Sequence, residues 1–330
     1  MTFCETFEIR LILQFQDLAE WLKPIMEIFS WFGYPQAYMI IIAVIYWGFD
    51  RKLGLRLAIF LPLVASINSL LKQVIHAPRP YWTDKNIIAI HSDNGFGMPS
   101  GHAQSATVWL LAGAYLRNTW FWIFAIILTA GVGISRAYLG VHFPSQILLG
   151  WGVGILVISC FLRFESRVVA WLKRQILYYQ LLIVLGCTLL IILLGFVFNL
   201  LLKSWEMPEA WILNASEYLI LDKAKLMNYG LTSTMGNAGG FLGVTMGAIF
   251  MHRLGGYSAG GAWWMRLLRI LIGLMGIVTL FIGVQVLSPY MSHPMLKVAW
   301  RFIGFYLISF SAIYLLPLLF LKMKLLRILT

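Results

Sequence analysis

Charge is scarce in this sequence. Of its 330 residues only 12% are Asp, Glu, Lys or Arg, while 60% are hydrophobic. Soluble domains carry roughly 25% charged residues, so this composition is too poor in polar groups to cover a soluble globule. Acid is scarcer than base: 13 Asp and Glu stand against 25 Lys and Arg, for a net charge of +12. Membrane proteins acquire such an excess from basic cytoplasmic loops. Nucleic-acid binding would need a basic stripe on a soluble face, and none is present. Cysteine is limited to Cys4, Cys160 and Cys187, without metal-ligand spacing, which excludes a disulfide framework and a zinc site. The apolar runs are continuous rather than alternating, which excludes a transmembrane β-barrel. A basic leader segment is also missing, with Glu5 and Glu8 in its place. No cleavable signal is therefore expected, and the first span should direct insertion.

What is present is a series of apolar runs near the roughly 20 residues that cross a bilayer. They fall at about 33–49, 54–76, 100–116, 119–138, 143–162, 177–201, 236–251, 267–288 and 300–321. The expected fold is all-α, a polytopic membrane helical bundle of about nine transmembrane helices. Residues 1–30 hold five acids among Leu11, Leu13, Phe15, Leu18, Trp21 and Leu22, close to helical spacing. They read as an amphipathic interfacial helix or as a helix packed on the extramembrane face of the bundle. Gly239, Gly243 and Gly247 recur every four residues, as close helix packing in lipid requires; a re-entrant loop is the other reading.

Charge orients this scheme. One side receives Arg51, Lys52, Arg56, Arg117, Arg163, Arg167, Lys173, Arg174, Arg253, Arg266, Arg269, Lys322, Lys324 and Arg327, fourteen cations against Asp50 and Glu165. The other side holds eleven cations and eleven acids. The first side is therefore expected in the cytoplasm. The N-terminus, the 77–99 loop, the turn at 136–143 and the 202–235 loop fall outside.

Three polar blocks interrupt the apolar chain, all on that outer side: Lys72-x6-Arg79-Pro80, Pro99-Ser100-Gly101-His102 and Ser135-Arg136-x5-His142. Ionisable groups at the ends of membrane-length runs are costly and point to function. Ser100 suits a helix N-cap. The amides of Gly101 and His102 would then face outward at a positive helix end, which binds phosphate, with Gly101 allowing close approach. Arg136 and His142 flank a short turn before Pro144, and Arg offers a planar fork of donors to phosphate oxygens. Taken singly, each block has a plainer reading: an ordinary cap, an interfacial Arg beside a surface His, a snorkelling Lys72. Three such blocks on one face make a shared anion site the better account. His76, His91, His252 and His293 have no such partners and read as structural or surface residues.

These blocks, in this order and spacing, resemble the signatures of the type 2 phosphatidate phosphatase superfamily, whose core is shared with vanadium haloperoxidases. The resemblance covers about residues 25–165, including Tyr46-Trp47-Gly48-Phe49-Asp50-Arg51-Lys52-Leu53-Gly54 and Tyr138-Leu139-Gly140-Val141-His142-Phe143-Pro144, which look like bacterial members. It implies a six-helix phosphatase-like core in residues 31–165, with residues 166–330 as additional transmembrane helices. It also implies a mechanism without metal or cofactor. His142 would attack phosphorus to form a phosphohistidine, and His102 would protonate the leaving oxygen and then activate water. Lys72, Arg79, Arg136, Ser100 and Gly101 would hold the phosphoryl oxygens.

Where the family pattern has Asp four residues after the third-block histidine, this chain has Gln146. A carboxylate there would fix the tautomer of His142 and stabilise its positive charge; an amide carbonyl accepts the Nδ1 proton without the charge. Three readings stay open: Gln146 orients His142 in an active enzyme, Asp93 or Asp84 substitutes for the acid, or the chain binds phospholipid without turnover. The expected function is hydrolysis of a lipid phosphate or diphosphate, such as phosphatidate, phosphatidylglycerol phosphate or polyprenyl diphosphate. The partners are then the lipid substrate and membrane lipids, with no nucleic acid. The expected place is a bacterial inner membrane with the site on the extracytoplasmic face. The alternative is a silent relative that binds or transports phospholipid.

Overall fold

The computed structural model describes residues 3–18, 20–291 and 293–328, with side chains described from Thr6 onward; the side chains of Cys4 and Glu5 lie outside the described residues. The chain is a helical membrane bundle. Helix α1 covers Phe3–Gln16, α2 Leu22–Trp31, α3 Pro35–Val44, α4 Arg51–Ile75 and α5 Pro80–Thr83. Next come α6 Gly101–Ala106, α7 Val108–Leu116, α8 Thr119–Tyr138, α9 Pro144–Lys173 and α10 Leu177–Leu201. The last are α11 Glu209–Ala215, α12 Lys223–Arg253, α13 Trp263–Leu287, α14 Pro294–Phe310 and α15 Leu316–Lys322. Two-residue strands β1, Tyr257–Ser258, and β2, Arg327–Ile328, pair antiparallel.

Among the described residues six helical runs are long and apolar enough to cross a membrane: Arg51–Thr83, Thr119–Tyr138, Pro144–Lys173, Leu177–Ser204, Trp263–Tyr290 and Pro294–Lys322. A seventh appears if α2 and the run Pro35–Phe49, bent by 61°, count as one span. Two of the nine expected spans fall short of that length and apolarity among the described residues, for two physical reasons. The 100–116 run is too short: α6, Thr107 and α7 together cover only residues 101–116, and Thr107 Oγ1 donates to the Gln104 carbonyl (2.7 Å) where the two helices meet. The 236–251 run belongs to the longer α12, which Asn228, Thr232, Ser233, Thr234 and Asn237 make too polar to meet the same measure.

The chain forms two compact units, each interleaved along the sequence. The first comprises Met1–Ala37, Ile67–Ser159 and Gly195–Leu231. Its centre is α8, which packs against α2, α6 and α7. Ala125, Leu128, Thr129, Val132, Ser135 and Arg136 are buried on α8, the three- and four-residue spacing of one helix face. Residues 3–31 form two helices rather than one. Ile9 and Ile12 of α1 are buried with Tyr81, Trp82, Leu139, Val141 and Phe143, so α1 packs on protein. The loops after α4 and α10 meet in an aromatic seam: Trp82 lies 5.9 Å from Trp211, and Trp205 lies 5.7 Å from both Trp211 and Phe96.

The second unit comprises Tyr38–Ser66, Cys160–Leu194 and Thr232–Thr330. Here the glycine ridge packs α12 onto α14: a side chain at Gly239 would strike the Phe302 carbonyl, and one at Gly243 would lie 2.5 Å from the Tyr306 carbonyl. This is the packing reading, not a re-entrant loop. Two π-helical turns, Ile45–Phe49 and Ser311–Leu315, are joined by Tyr46 Oη donating to the Ile313 carbonyl (3.0 Å) and Trp47 Nε1 to that of Ala312 (2.9 Å).

Candidate active site

The first polar block is placed by one face of α4. Asn68, Ser69, Lys72 and Gln73 stand at helical spacing in the last turns of α4, and Asn68, Ser69 and Gln73 are buried. Asn68 Nδ2 donates to the Pro99 carbonyl (3.2 Å) and to Gln104 Oε1 (2.8 Å), pinning the second block against α4. Lys72 Nζ donates to the Phe96 carbonyl (2.6 Å). Pro78 and Pro80 keep the chain extended between α4 and α5, and Arg79 between them is fully buried.

Arg79 makes four hydrogen bonds and one ion pair. Nε donates to the Gly95 carbonyl (2.6 Å). One terminal nitrogen reaches the Val141 carbonyl (3.1 Å) and His142 Nε2 (3.4 Å). The other reaches the Phe96 carbonyl (3.4 Å) and Asp93 Oδ2 (2.9 Å). Asp93 is steadied by Tyr81, whose hydroxyl donates to the Asp93 carbonyl (3.1 Å), and by Tyr229, whose hydroxyl lies 3.4 Å from Oδ1.

In the second block Ser100 caps α6, its Oγ accepting from Ala103 N (3.5 Å). The amides of Gly101 and His102 stand in the first turn, where a helix leaves N–H groups without carbonyl partners. His102 meets the ring of Tyr34 edge-on at 4.7 Å, and its buried Nε2 has no hydrogen-bond partner among the described residues. In the third block the Arg136 carbonyl accepts from the amides of both Val141 (3.1 Å) and His142 (3.2 Å), folding the turn back toward its own arginine. Arg136 donates from a terminal nitrogen to Ser30 Oγ (2.6 Å), while its buried Nε has no partner among the described residues. The second and third blocks are tied by Ser100 N donating to the Gln146 carbonyl (2.9 Å).

Gln146 sits in the first turn of α9. Its Nε2 donates to the Pro78 carbonyl (2.7 Å), so its Oε1 must face His142 Nδ1, 3.0 Å away. The amide orientation thus fixes the tautomer: Nδ1 carries the proton and donates, and the Nε2 lone pair faces Arg79. Gly97 makes room for this side chain. A Cβ there would strike the Pro78 carbonyl and lie 2.6 Å from Gln146 Nε2 and 2.7 Å from Oε1. Glu8 of α1 holds the start of the same helix, its Oε1 accepting from Ser145 N (2.6 Å) and its Oε2 from Ser145 Oγ (3.1 Å).

Electrostatics join these groups into one site. Burial opposes charge on Asp93, but Arg79, Lys72 and Arg136 hold its carboxyl well below the usual carboxylate range. Burial, then the charges of Arg79, Lys72 and Arg136, keep the His142 imidazole well below its ordinary value. His102 feels the charges of Arg136, Asp93, Lys72 and Arg79. All eight sequence-selected residues, Lys72, Arg79, Ser100, Gly101, His102, Arg136, His142 and Gln146, lie in the first unit. Neither proposed substitute acid reaches His142 Nδ1. Asp93 pairs with Arg79, and Asp84 accepts from the backbone and side chain of Asn86. Sequence reasoning did not pick out Ser30, Tyr34, Asn68, Gly97 or the capping role of Glu8. Only Asn68 had a usable signal, a polar residue one helical turn before Lys72 in an apolar run. Of the remaining histidines, His293 caps α14, accepting from Met295 N (3.2 Å), and His76 stacks edge-on with Trp205 at 5.2 Å. No group of His, Cys, Asp and Glu suited to a metal ion occurs among the described residues.

The fold and these contacts define a helical membrane protein in which three cations and two imidazoles lie within one another's electrostatic reach. Residues 53–170 match the PAP2 superfamily, and residues 235–327 match the PAP2 superfamily phosphatase, transmembrane extension. The chain thus carries a PAP2 superfamily domain and that superfamily's transmembrane extension. Among curated proteins it is 27% identical over 117 residues to an undecaprenyl-diphosphatase of Sulfolobus acidocaldarius, covering 35% of this chain and 57% of the relative. It is 27% identical over 162 residues to phosphatidylglycerophosphatase B of Bacillus subtilis, covering 45% of this chain and 77% of that one. It is also 27% identical over 161 residues to human glucose-6-phosphatase 2, covering 39% and 45%. The matched region thus spans from under half to about three quarters of these relatives' lengths. A solved structure, that of the first transmembrane PAP2 type phosphatidylglycerolphosphate phosphatase from Bacillus subtilis, matches with a TM-score of 0.43 and 23% identity, covering 49% of this chain and 86% of that one.

Proposed function

We propose that this protein is a membrane phosphatase that hydrolyses a lipid phosphate or diphosphate through a phosphohistidine. The observation that carries the reading is the His142 imidazole, with Nδ1 held by Gln146 and the Nε2 lone pair turned to Arg79. Its lowered proton affinity keeps that lone pair free. In the proposed reaction Nε2 forms a bond to phosphorus as the bond from phosphorus to the lipid oxygen breaks, and His102 gives that oxygen a proton. His102 then takes a proton from water, whose oxygen attacks phosphorus and releases inorganic phosphate and free His142. Lys72, Arg79, Arg136 and the first-turn amides of α6 would compensate charge on the equatorial oxygens, where phosphoryl transfer gains most of its catalysis. Residues 31–165 form the catalytic core in this reading, and residues 166–330 are additional helices.

The names of two relatives, undecaprenyl-diphosphatase and phosphatidylglycerophosphatase B, support a lipid-borne phosphate as substrate. The charge distribution supports a site on the extracytoplasmic side, with bacterial inner membrane as its place. The test is phosphate release from short-chain phosphatidate, phosphatidylglycerol phosphate and a polyprenyl diphosphate, by purified protein in detergent with chelator. Release is expected from at least one, abolished by His142→Ala and inhibited by vanadate. Phosphate-lipid binding without any release would replace this reading with that of a silent, lipid-binding relative.

A further inference from the structure

The cradle contains an acid that the phosphate-binding signatures do not include. Asp93 Oδ2 lies 2.9 Å from a terminal nitrogen of Arg79, and the fully buried guanidinium also donates to three backbone carbonyls and faces His142 Nε2. A phosphoryl group can take bonds from Arg79 only where partners yield. The carbonyls of Gly95, Phe96 and Val141 belong to backbone packed in place, so the partners able to yield are His142 Nε2, which would bond to phosphorus, and the Asp93 carboxylate. Asp93 is one-quarter exposed while Arg79 is sealed, so the carboxylate sits on the open side of the guanidinium. Its field reaches Arg79, Lys72, Arg136 and His142, the groups proposed to surround phosphorus. Tyr229 donates to the carboxylate and Tyr81 to the backbone carbonyl of the same residue.

We infer that Asp93 is a specificity-determining residue: an internal anion that occupies the cradle until a terminal, dianionic phosphate displaces it, and that excludes singly charged phosphodiesters. This deepens the function proposed above and rests on it. A phosphodiester headgroup brings one negative charge, the same as the carboxylate it would displace, and gains nothing in Coulomb energy. A terminal phosphate brings up to two, and its attraction to the three cations is correspondingly larger. The surrounding membrane is made largely of phosphodiester lipids, so a cradle of three cations without its own anion would be occupied by non-substrates.

The test measures binding apart from turnover. Inorganic phosphate and short-chain phosphatidylglycerol are titrated into detergent-solubilised His142→Ala protein, with and without Asp93→Asn. Loss of the carboxylate is expected to tighten phosphate binding roughly tenfold or more and to make phosphatidylglycerol a competitor that it is not when Asp93 is present. Tyr229→Phe, which loosens the same carboxylate, should move both in the same direction by less, and serves if Asp93→Asn does not fold. Equal or weaker phosphate binding in folded Asp93→Asn would overturn the inference and make Asp93 a support for Arg79. Hydrolysis is assayed separately with His142 intact. A chain that binds phosphate as described but hydrolyses nothing would sink the phosphatase reading alone, and a working phosphatase with unchanged binding in Asp93→Asn would sink this one alone.

Discussion

At Gln146 a neutral side chain occupies a position where the family pattern has an acid, and its surroundings have been rebuilt to suit. The amide donates to the Pro78 carbonyl and accepts from His142, and Gly97 leaves the space that the longer side chain fills. Gln146→Asp would restore the charge but leave the Pro78 carbonyl without its donor, a loss of about 1–3 kcal/mol. The sign on His142 follows. In the present protein burial and three cations lower its proton affinity, so the acid-side inflection of kcat/KM should lie below the ordinary histidine value of about 6.5. A carboxylate at 146 favours the imidazolium, so Gln146→Asp should move that inflection to higher pH and raise turnover while lowering the melting temperature. A pH–rate profile of the two proteins checks this; an inflection that stays put would place the rate-controlling base elsewhere. The motif residues were legible because an ionisable group in an apolar run has few structural explanations. Asp93 was visible only as an acid in a polar loop, which has no periodicity to say where its side chain goes, and its partner proved to be Arg79 rather than His142.

Helices, more than loops, deliver the chemistry. α4 supplies Asn68 and Lys72 from one face, α8 carries Arg136 in its last turn, and α6 and α9 carry the second block and Gln146 in their first turns. Their existence could be read from apolar length, but their continuity could not. Thr107 splits one expected span, and α12 runs from Lys223 through a polar stretch that hydropathy leaves out. The capping of α9 by Glu8 was equally hidden, because a residue 137 positions away leaves no local pattern. Removing a capping group costs about 0.5–2 kcal/mol, and here the first turn also carries Gln146. Glu8→Ala should therefore lower the melting temperature by a few degrees and reduce kcat several-fold with little change in KM. The exposed Glu20→Ala should leave both unchanged. Differential scanning fluorimetry and steady-state kinetics on the three proteins decide it.

Across the whole molecule, the nine-span reading of the sequence sorts the cations by side: fourteen with two acids on one, and eleven against eleven on the other. This asymmetry predicts a topology that labelling can check. With Cys4, Cys160 and Cys187 replaced by Ala, an impermeant maleimide should label Lys85→Cys in intact cells and Lys322→Cys only after the membrane is opened. The reverse pattern would put the cradle in the cytoplasm. One contact also constrains how such a chain is made. Glu8 meets Ser145 across 137 residues. At about 5–20 residues per second the ribosome needs on the order of ten seconds to deliver Ser145, and the same stretch of synthesis supplies Tyr81, Trp82, Val141 and Phe143, which cover Ile9 and Ile12. Through that interval the nascent α1 has two apolar residues uncovered and only lipid to rest them on. The amphipathic pattern in residues 1–30 thus suits a temporary berth at the bilayer surface, held until the ninth helix emerges.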